Sequence, residues 1–218
     1  MMTATHDMTY ANSFGPSRLP LDDPAETTGG ALACALAYPG DCFEVRMGDA
    51  LATVRRHAPE AAGPLAAFCE AVRPLSTEER QELYTRTFDI NPVCSLEIGW
   101  QLFGEEYHRG ALLVRLRGEL RRHGIEESTE LPDHLTHVLS LLDRMAPAEA
   151  QSFAACCVIP AVDKMLVAFE GAQNPYGEVL LAVGLFLKQC FVSAATLTPG
   201  LSPRNTGERG ENAAGEPS

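Results

Sequence analysis

Apolar residues recur at helical spacing through most of the chain, and this periodicity constrains the fold more than any other feature. Side chains three and four positions apart share one face of an α-helix, so such repeats indicate helices that pack by one side. No alternating run with β-branched residues, the pattern of a strand, is present. The sequence therefore predicts an all-α fold of about eight or nine helices. The six stripes are Met47, Ala50, Leu51 and Val54; Leu65, Phe68, Cys69 and Val72; Val93, Leu96, Trp100 and Phe103; Leu113, Leu116 and Leu120; Leu131, Leu135, Val138, Leu142 and Met145; and Tyr176, Leu180, Val183, Leu187, Cys190 and Ala194.

Local signals agree with helices. Ser76 followed by Glu79 is a capping box, in which each side chain accepts a backbone amide hydrogen of the first turn. Pro147 stands where a helix would begin, and Gly124 follows basic residues where one would end. Pro160 lies inside an apolar pattern and should kink or split that helix, because proline lacks an amide hydrogen.

Composition divides the chain into three parts. Residues 1–29 are poor in large apolar side chains and rich in Thr, Pro, Gly and Asp, and residues 198–218 have the same character. Such segments bury too little apolar surface to offset the entropy of ordering. We therefore expect a flexible segment 1–29, a single helical domain 30–197 and a disordered tail 198–218.

Net charge and the length of the apolar runs indicate which partners the protein binds and where in the cell it is located. The formal net charge is -12, which excludes a general nucleic-acid binder and favours a basic partner. The most apolar run, Val179 to Leu187, is too short to span a bilayer, and no signal peptide is recognised, so a cytoplasmic protein without membrane insertion is expected. The seven cysteines are scattered and are interpreted as small buried apolar residues.

Motifs for catalysis or metal binding are missing from the sequence. Signatures for zinc proteases, phosphate-binding loops, dinucleotide binding and serine hydrolases do not occur. His134 and His137 could share a helix face, but without a third ligand they are expected to face solvent or a partner. Cys156 and Cys157 should point about 100° apart on a helix and should not chelate. The sequence therefore predicts a protein that is not an enzyme.

Two segments are unusual for a purely structural bundle. The first is residues 84–89, Tyr-Thr-Arg-Thr-Phe-Asp, in which Arg86 and Asp89 could pair on one helix face. The second is residues 130–135, Glu-Leu-Pro-Asp-His-Leu, which is expected to open a helix capped by Ser128 or Thr129.

These segments, in this order, resemble a known family. Leu83–Asp89, Leu102–Gly104, Arg109–Leu113 and Glu130–Leu135, followed by Ile159–Ala161 and Asn174–Tyr176, are similar to the NarJ-type nitrate reductase assembly chaperones, also called the delta subunit. That family belongs to the wider TorD/DmsD-like group of redox-enzyme maturation proteins. The resemblance covers about residues 31–195, and the Glu-Pro-Asp-His signature of the group appears as Glu130, Pro132, Asp133 and His134.

The resemblance implies a TorD-like helical bundle that acts as a cytoplasmic chaperone. Its partner would be the apo catalytic subunit of respiratory nitrate reductase, including the N-terminal segment of that subunit, and cofactor-delivery proteins are further candidate partners. The chaperone would hold the subunit during molybdenum cofactor insertion, before membrane attachment. It would bind no cofactor tightly itself, because the molybdenum cofactor belongs to the client.

An acidic helix start beside an apolar groove would suit a basic, amphipathic client segment. The aromatic candidates could instead be ordinary core residues, which is the more common role of such side chains, and Arg86 with Asp89 could be a solvated pair. The candidate client-binding residues are Tyr84, Arg86, Phe88, Asp89, Trp100, Phe103, Glu130, Pro132, Asp133 and His134.

Three other functions are compatible with the same sequence. The nearest is a TorD/DmsD-like chaperone for a different molybdoenzyme. A helical protein that carries a metal or cofactor is a second, and a plain helical scaffold is a third. Retained metal after purification would favour the second, and an absence of selective peptide affinity would favour the third.

Overall fold

The computed structural model describes residues 26–192 and builds them almost entirely from helices. The segments are α1 Thr28–Ala35, α2 Phe43–His57, α3 Pro59–Val72, α4 Thr77–Tyr84, α5 Ile98–Phe103, α6 Tyr107–Arg122, α7 Leu135–Leu142, α8 Pro147–Phe153, α9 Ile159–Val167 and α10 Tyr176–Leu187. Helices α8 and α9 run on as one helix, Pro147–Val167, so the described range holds nine helices. The predicted all-α class is confirmed, with one isolated antiparallel bridge between Glu97 and His134.

The apolar helix α10 lies at the centre of the core. It packs most extensively on α3 and also contacts α9 and α1, while α1 is held between α2 and α7. Burial on several sides explains why α10 is apolar around most of its circumference rather than along one stripe. Eight of its residues are buried: Tyr176, Val179, Leu180, Ala182, Val183, Gly184, Phe186 and Leu187.

The start of α1 is held by hydrogen bonds to a distant residue, which the sequence analysis did not predict. Gly29 and Gly30 donate their backbone N–H groups to the carboxylate of Asp143, at 3.3 and 2.9 Å, and Thr27 caps the same end. A Cβ on Gly29 would lie 2.6 Å from this carboxylate, so the close approach requires glycine there. The half-buried carboxylate of Asp143 thus joins the start of α1 to the end of α7.

Most predicted helix boundaries are confirmed. Ser76 and Glu79 form the complete capping box at the start of α4. Pro147 is the first residue of α8, and Gly124 adopts φ 65° directly after α6. Pro160 does not split its helix; instead a π-helical turn, Ala154–Val158, precedes it and accommodates the missing amide hydrogen.

Two further π-helical turns, Thr85–Asp89 after α4 and Lys188–Val192 after α10, alter side-chain directions. The wider turn removes Arg86 and Asp89 from one face, and no ion pair joins them in the described structure. The expected divergence of Cys156 and Cys157 is wrong, because their Sγ atoms lie 3.2 Å apart in the turn of residues 154–158.

Two stripes are only partly helical. Leu96 is buried but precedes α5, and Val93 is 64% exposed in a 3-10 turn. Leu131 lies outside α7 and is exposed, so the expected helix opening at residues 130–135 is wrong. Ala194 and the two predicted flexible ends, except residues 26–29, lie outside the described residues, and the domain boundaries stay predictions.

Within residues 26–192 one helix, Pro147–Val167, is long and apolar enough to cross a membrane by length and composition. Its most apolar window has a mean hydropathy of 1.4, and a third of that window is buried inside the protein. A core helix of a soluble protein passes the same test, so this one helix is weak support for a membrane span. Val179–Leu187 lies in α10, which is largely buried.

Candidate functional site

The segment that precedes α7 is a turn tied to the strand-like residues before α5. Ile98 donates its N–H to the carbonyl of Asp133 at 2.9 Å, and Leu135 donates to the carbonyl of Leu96 at the same distance. The helix then begins at Leu135, with His134 rather than Ser128 or Thr129 as its N-cap. The Nδ1 atom of His134 accepts from the backbone N–H of Thr136. These bonds leave residues 130–134 nonhelical although Pro132 is present.

Asp133 is fully buried and acts as a structural cap for another helix. Its Oδ2 accepts the backbone N–H of Gly99, in the first turn of α5, at 3.1 Å, and faces Arg109 Nε at 3.4 Å. Helix α5 has no side-chain cap of its own, so Asp133 supplies one from across the fold. Burial raises the pKa of this carboxyl, and the Arg109 guanidinium opposes that rise. Asp133 Oδ1 has no hydrogen-bond partner among the described residues.

Arg109 connects this cap to the only tryptophan of the chain. Its guanidinium lies 5.5 Å from the ring centroid of Trp100, which is cation–π distance. The indole Nε1 of Trp100 donates to the carbonyl of Pro92 at 2.9 Å. Asp133, Arg109 and Trp100 therefore form a continuous wall whose orientation is fixed at both ends.

Arg109 and Trp100 of this wall line a cavity of about 380 Å³ that we name the acidic cavity. It contains six of the ten predicted client-binding residues: Tyr84, Phe88, Asp89, Trp100, Glu130 and His134. Its remaining lining residues are Pro92, Ser95, Leu96, Glu97 and Arg109. Residues from α4, α5, α6 and the turn before α7 thus meet at one place although they lie far apart in sequence.

The other four predicted residues do not line the cavity. Arg86 is exposed and lies beside a separate, shallower depression. Phe103 packs against the ring of His108, at 6.1 Å between centroids. Pro132 and Asp133 are buried in the turn before α7 and are not among the residues that line the cavity.

The aromatic side of the cavity belongs to the core at the same time. Tyr84 and Phe88 are only 3% and 6% exposed, with ring centroids 5.1 Å apart. Both rings pack edge-on against Tyr176 of α10, at 5.8 and 4.8 Å. Both rings are therefore core residues that also line the cavity, and their role in client binding stays a prediction.

Three acidic side chains, Asp89, Glu97 and Glu130, also line the cavity. Burial, followed by repulsion from Glu97 and Asp89, raises the pKa of Glu130. Arg109 is the cation among the lining residues, and it already faces Asp133. A cationic group entering the cavity would relieve this repulsion, so the site is electrostatically suited to a basic ligand.

The two histidines were expected to face solvent or a partner, but both are buried, with exposures of 4% for His134 and 6% for His137. Burial lowers the pKa of His134 to about 4, so this ring is neutral near pH 7. His137 is held between the Ser128 backbone and the Leu131 carbonyl, each within 3.2 Å. Among residues 26–192 no group of three or more His, Cys, Asp or Glu side chains could hold a metal ion.

A second depression of about 540 Å³ continues from the acidic cavity. Tyr84, Glu130 and His134 line both, so these residues form the boundary between the two. The second depression runs between α1, α7 and the loop at residues 124–130, and its apolar contributors include Ala33, Ala37 and Ile125. We name it the adjoining groove. Together the two could accept an extended or helical peptide.

Sequence reasoning missed Glu97, Gly99 and Arg109 as functional or supporting residues. Glu97 lies within the apolar stripe Val93–Phe103, which predicted a helix, whereas the structure places it in an antiparallel bridge to His134 at the cavity. Gly99 is required because a Cβ there would lie 2.5 Å from Asp133 Oδ2. A glycine inside a predicted helical stripe was the available sequence signal.

Comparison with known proteins identifies relatives. The sequence model of the family described as nitrate reductase delta subunit matches residues 54–181, which include every cavity residue. Two curated relatives, from Escherichia coli strain K12 and Escherichia coli O157:H7, carry the description nitrate reductase molybdenum cofactor assembly chaperone NarJ. Each is 30% identical over 119 residues, which is 53% of this chain and 50% of the relative. The match thus spans about half the length of the relatives.

Proposed function

Because the chain belongs to the nitrate reductase delta subunit family, we propose that it is an assembly chaperone for the catalytic subunit of a nitrate reductase. It binds the apo subunit, including its N-terminal segment, and supports molybdenum cofactor insertion before the complex attaches to the membrane. It acts in the cytoplasm by binding rather than by catalysis. It holds no cofactor tightly itself, and it works beside cofactor-delivery proteins.

The observation that carries the site assignment is the acidic cavity. Three carboxylates, Asp89, Glu97 and Glu130, line one recess together with aromatic side chains, and this recess joins an apolar groove. The raised pKa of Glu130 reflects burial and the two neighbouring acids. A recess of this composition selects a cation that carries apolar neighbours, and it disfavours an acidic or purely polar ligand.

A client segment of that chemistry would bind in two parts. A lysine or arginine side chain enters the acidic cavity beside Trp100 and the aromatic edges of Tyr84 and Phe88, where cation–π contact adds to the charge attraction. Apolar side chains one or two turns away on an amphipathic segment occupy the adjoining groove, as in other helix-in-groove complexes. The net charge of -12 increases the rate of encounter with the basic segment.

The function is tested in the host by deleting the gene and measuring the molybdenum content of the purified nitrate reductase catalytic subunit. We expect the subunit to accumulate with little bound cofactor, and plasmid-borne wild-type chain to restore loading. A fully loaded, active enzyme in the deletion strain would refute the proposal. Selective loss of a different molybdoenzyme would instead support a chaperone for another client.

The site is tested with exposed acids, because Asp133 and His134 are buried and their loss would disturb the fold. Asp89→Asn combined with Glu130→Gln removes two charges from the cavity rim. The matched control, Asp49→Asn with Glu60→Gln, removes two exposed charges that line none of the described cavities. Each variant is titrated calorimetrically with a peptide from the N-terminus of the cognate catalytic subunit.

We expect the cavity variant to bind about 5- to 30-fold more weakly, since two partly exposed charge interactions contribute about 1–2 kcal/mol. The control should stay within about twofold of wild type, and the affinity difference should shrink at high salt. Equal weakening in both variants would show that only net charge matters and would remove the cavity from the mechanism.

A further inference from the structure

A pair of adjacent cysteines lies on the side of the domain formed by α6 and α8. Cys156 and Cys157 belong to the π-helical turn Ala154–Val158, and their Sγ atoms are 3.2 Å apart. Cys156 is exposed and Cys157 is half-buried. Neither lines the acidic cavity or the adjoining groove, so the pair is separate from the proposed client site.

Both thiols border a cavity of about 400 Å³ between α6 and α8. Its walls include Leu112, Leu116 and Phe153, and Leu116 also packs into a small apolar cluster with residues of α6 and α7. A group bound to the two sulfurs would therefore have an apolar recess beside it. The recess has room for a substituent of the size of an aromatic ring.

Bond formation between the two sulfurs is disfavoured by the backbone. Consecutive Cα atoms are fixed about 3.8 Å apart, whereas disulfides need about 4.4 Å or more, so a disulfide would distort the helix at this turn. Burial, followed by the neighbouring Cys156, raises the pKa of Cys157, which favours the thiol over the more easily oxidised thiolate. The pair is thus built to persist as a dithiol.

The sulfur spacing discriminates between ligands. A tetrahedral zinc ion with Zn–S bonds of about 2.3 Å separates two sulfurs by about 3.8 Å and needs further protein ligands. Within residues 26–192 no such additional ligand set exists. Two bonds of about the same length that meet at nearly a right angle, as at a pyramidal trivalent centre, place two sulfurs about 3.3 Å apart by trigonometry, close to the observed 3.2 Å. It also needs no third protein ligand when an organic group fills that position.

We propose that Cys156 and Cys157 form a dithiol binding site for a trivalent organoarsenical, whose apolar substituent lies in the cavity between α6 and α8. In the reaction the arsenic–oxygen bonds of an arsenoso compound break and two arsenic–sulfur bonds form. The two thiol protons leave with the oxygen as one water molecule. Arsenic stays trivalent, so the step needs no oxidant or reductant.

The test treats the purified, reduced full chain with phenylarsine oxide and measures the adduct by intact mass spectrometry. We expect one equivalent to survive a wash with excess monothiol and to be released by a dithiol. Peptide mapping after alkylation should show Cys156 and Cys157 protected. Cys156→Ser, a change at an exposed position, should weaken retention at least tenfold, while Cys42→Ser, also exposed, should retain the adduct as wild type does.

Retention by Cys156→Ser equal to wild type, or protection mapped to other cysteines, would overturn the assignment. Far-ultraviolet circular dichroism confirms that each variant is folded, so a loss of adduct can be attributed to the missing sulfur. A substituent series gives a second readout: the phenyl compound should be retained more strongly than arsenite, since only the former places an apolar group in the cavity. Equal retention of both would remove the cavity from the proposal.

Discussion

Replacement of Gly99 by alanine tests whether the contact between Asp133 and α5 organises the wall of the acidic cavity. The new Cβ would lie 2.5 Å from Asp133 Oδ2 and 3.2 Å from a side-chain carbon of Arg109, so the carboxylate must move. Movement breaks the Gly99 N–H bond and weakens the ion pair of a fully buried charge. Disruption of such a pair costs about 3 kcal/mol or more.

A helical Gly→Ala change also has a favourable component of about 1 kcal/mol, which a second variant isolates. Gly118 lies in α6, is exposed, and has nothing within 4 Å of an added Cβ, so Gly118→Ala should stabilise the fold. The net expectation for Gly99→Ala is a loss of about 2 kcal/mol. For a domain of this size Tm should fall by about 4–8 °C in Gly99→Ala and rise by about 2–4 °C in Gly118→Ala.

Thermal unfolding is followed by far-ultraviolet circular dichroism and by fluorescence of the only tryptophan, Trp100, which lies beside the altered residue. Gly99→Ala should also shift the native emission, since Arg109 would no longer be held against the indole. If Gly99→Ala unfolds at or above the temperature of Gly118→Ala, the carboxylate does not constrain α5, and the account of the wall is wrong.

Three further predictions concern stability. His134 has a native pKa of about 4 against about 6.5 when unfolded, so its contribution to the free energy of unfolding is complete above pH 6.5 and is lost as the pH falls towards 4. His134→Asn keeps a capping acceptor and should reduce the slope of the unfolding free energy against pH, between pH 6.5 and 4, by up to about 1.4 kcal/mol per pH unit. Urea unfolding at several pH values measures this slope, and an unchanged slope would contradict the prediction. Arg80→Ala should lower the free energy of unfolding in urea by about 3 kcal/mol, because the buried guanidinium donates hydrogen bonds to two backbone carbonyls. Arg117→Ala removes a more exposed ion pair and should lower it by under about 1 kcal/mol. Equal losses in the two variants would show that burial of the guanidinium does not decide the cost. Asp143→Asn should speed amide exchange in α1 about tenfold, as measured by hydrogen-exchange mass spectrometry, because the carboxylate accepts two amide hydrogens of that helix. Asp163→Asn, which removes an exposed ion pair elsewhere, should leave exchange in α1 unchanged. Exchange in α1 as slow as in wild type for both variants would show that packing alone holds the helix.

The sequence determined the fold class, because a helix-period stripe can bury its apolar side chains only if it is helical. It also determined the helix termini that depend only on neighbouring residues, such as the Ser76–Glu79 capping box at the start of α4 and the turn at Gly124 after α6. Cavity-lining aromatics, Tyr84 and Phe88 among them, were predictable as candidates from an ordered set of motifs. These features depend on spacing along one segment, which is fully visible in the sequence.

Tertiary structure decided the parts that depend on distant segments. Asp133 was expected to meet a client, but the fold buries it against Gly99 and Arg109, which are 34 and 24 positions away. Backbone bonds to residues 96–98 make residues 130–134 a turn, although a proline with nearby acids is typical of a helix start. Side-chain directions in π-helical turns, which bring Cys156 and Cys157 together, depend on packing around the helix. Local spacing encodes none of these contacts, because each is chosen by the free energy of the whole core.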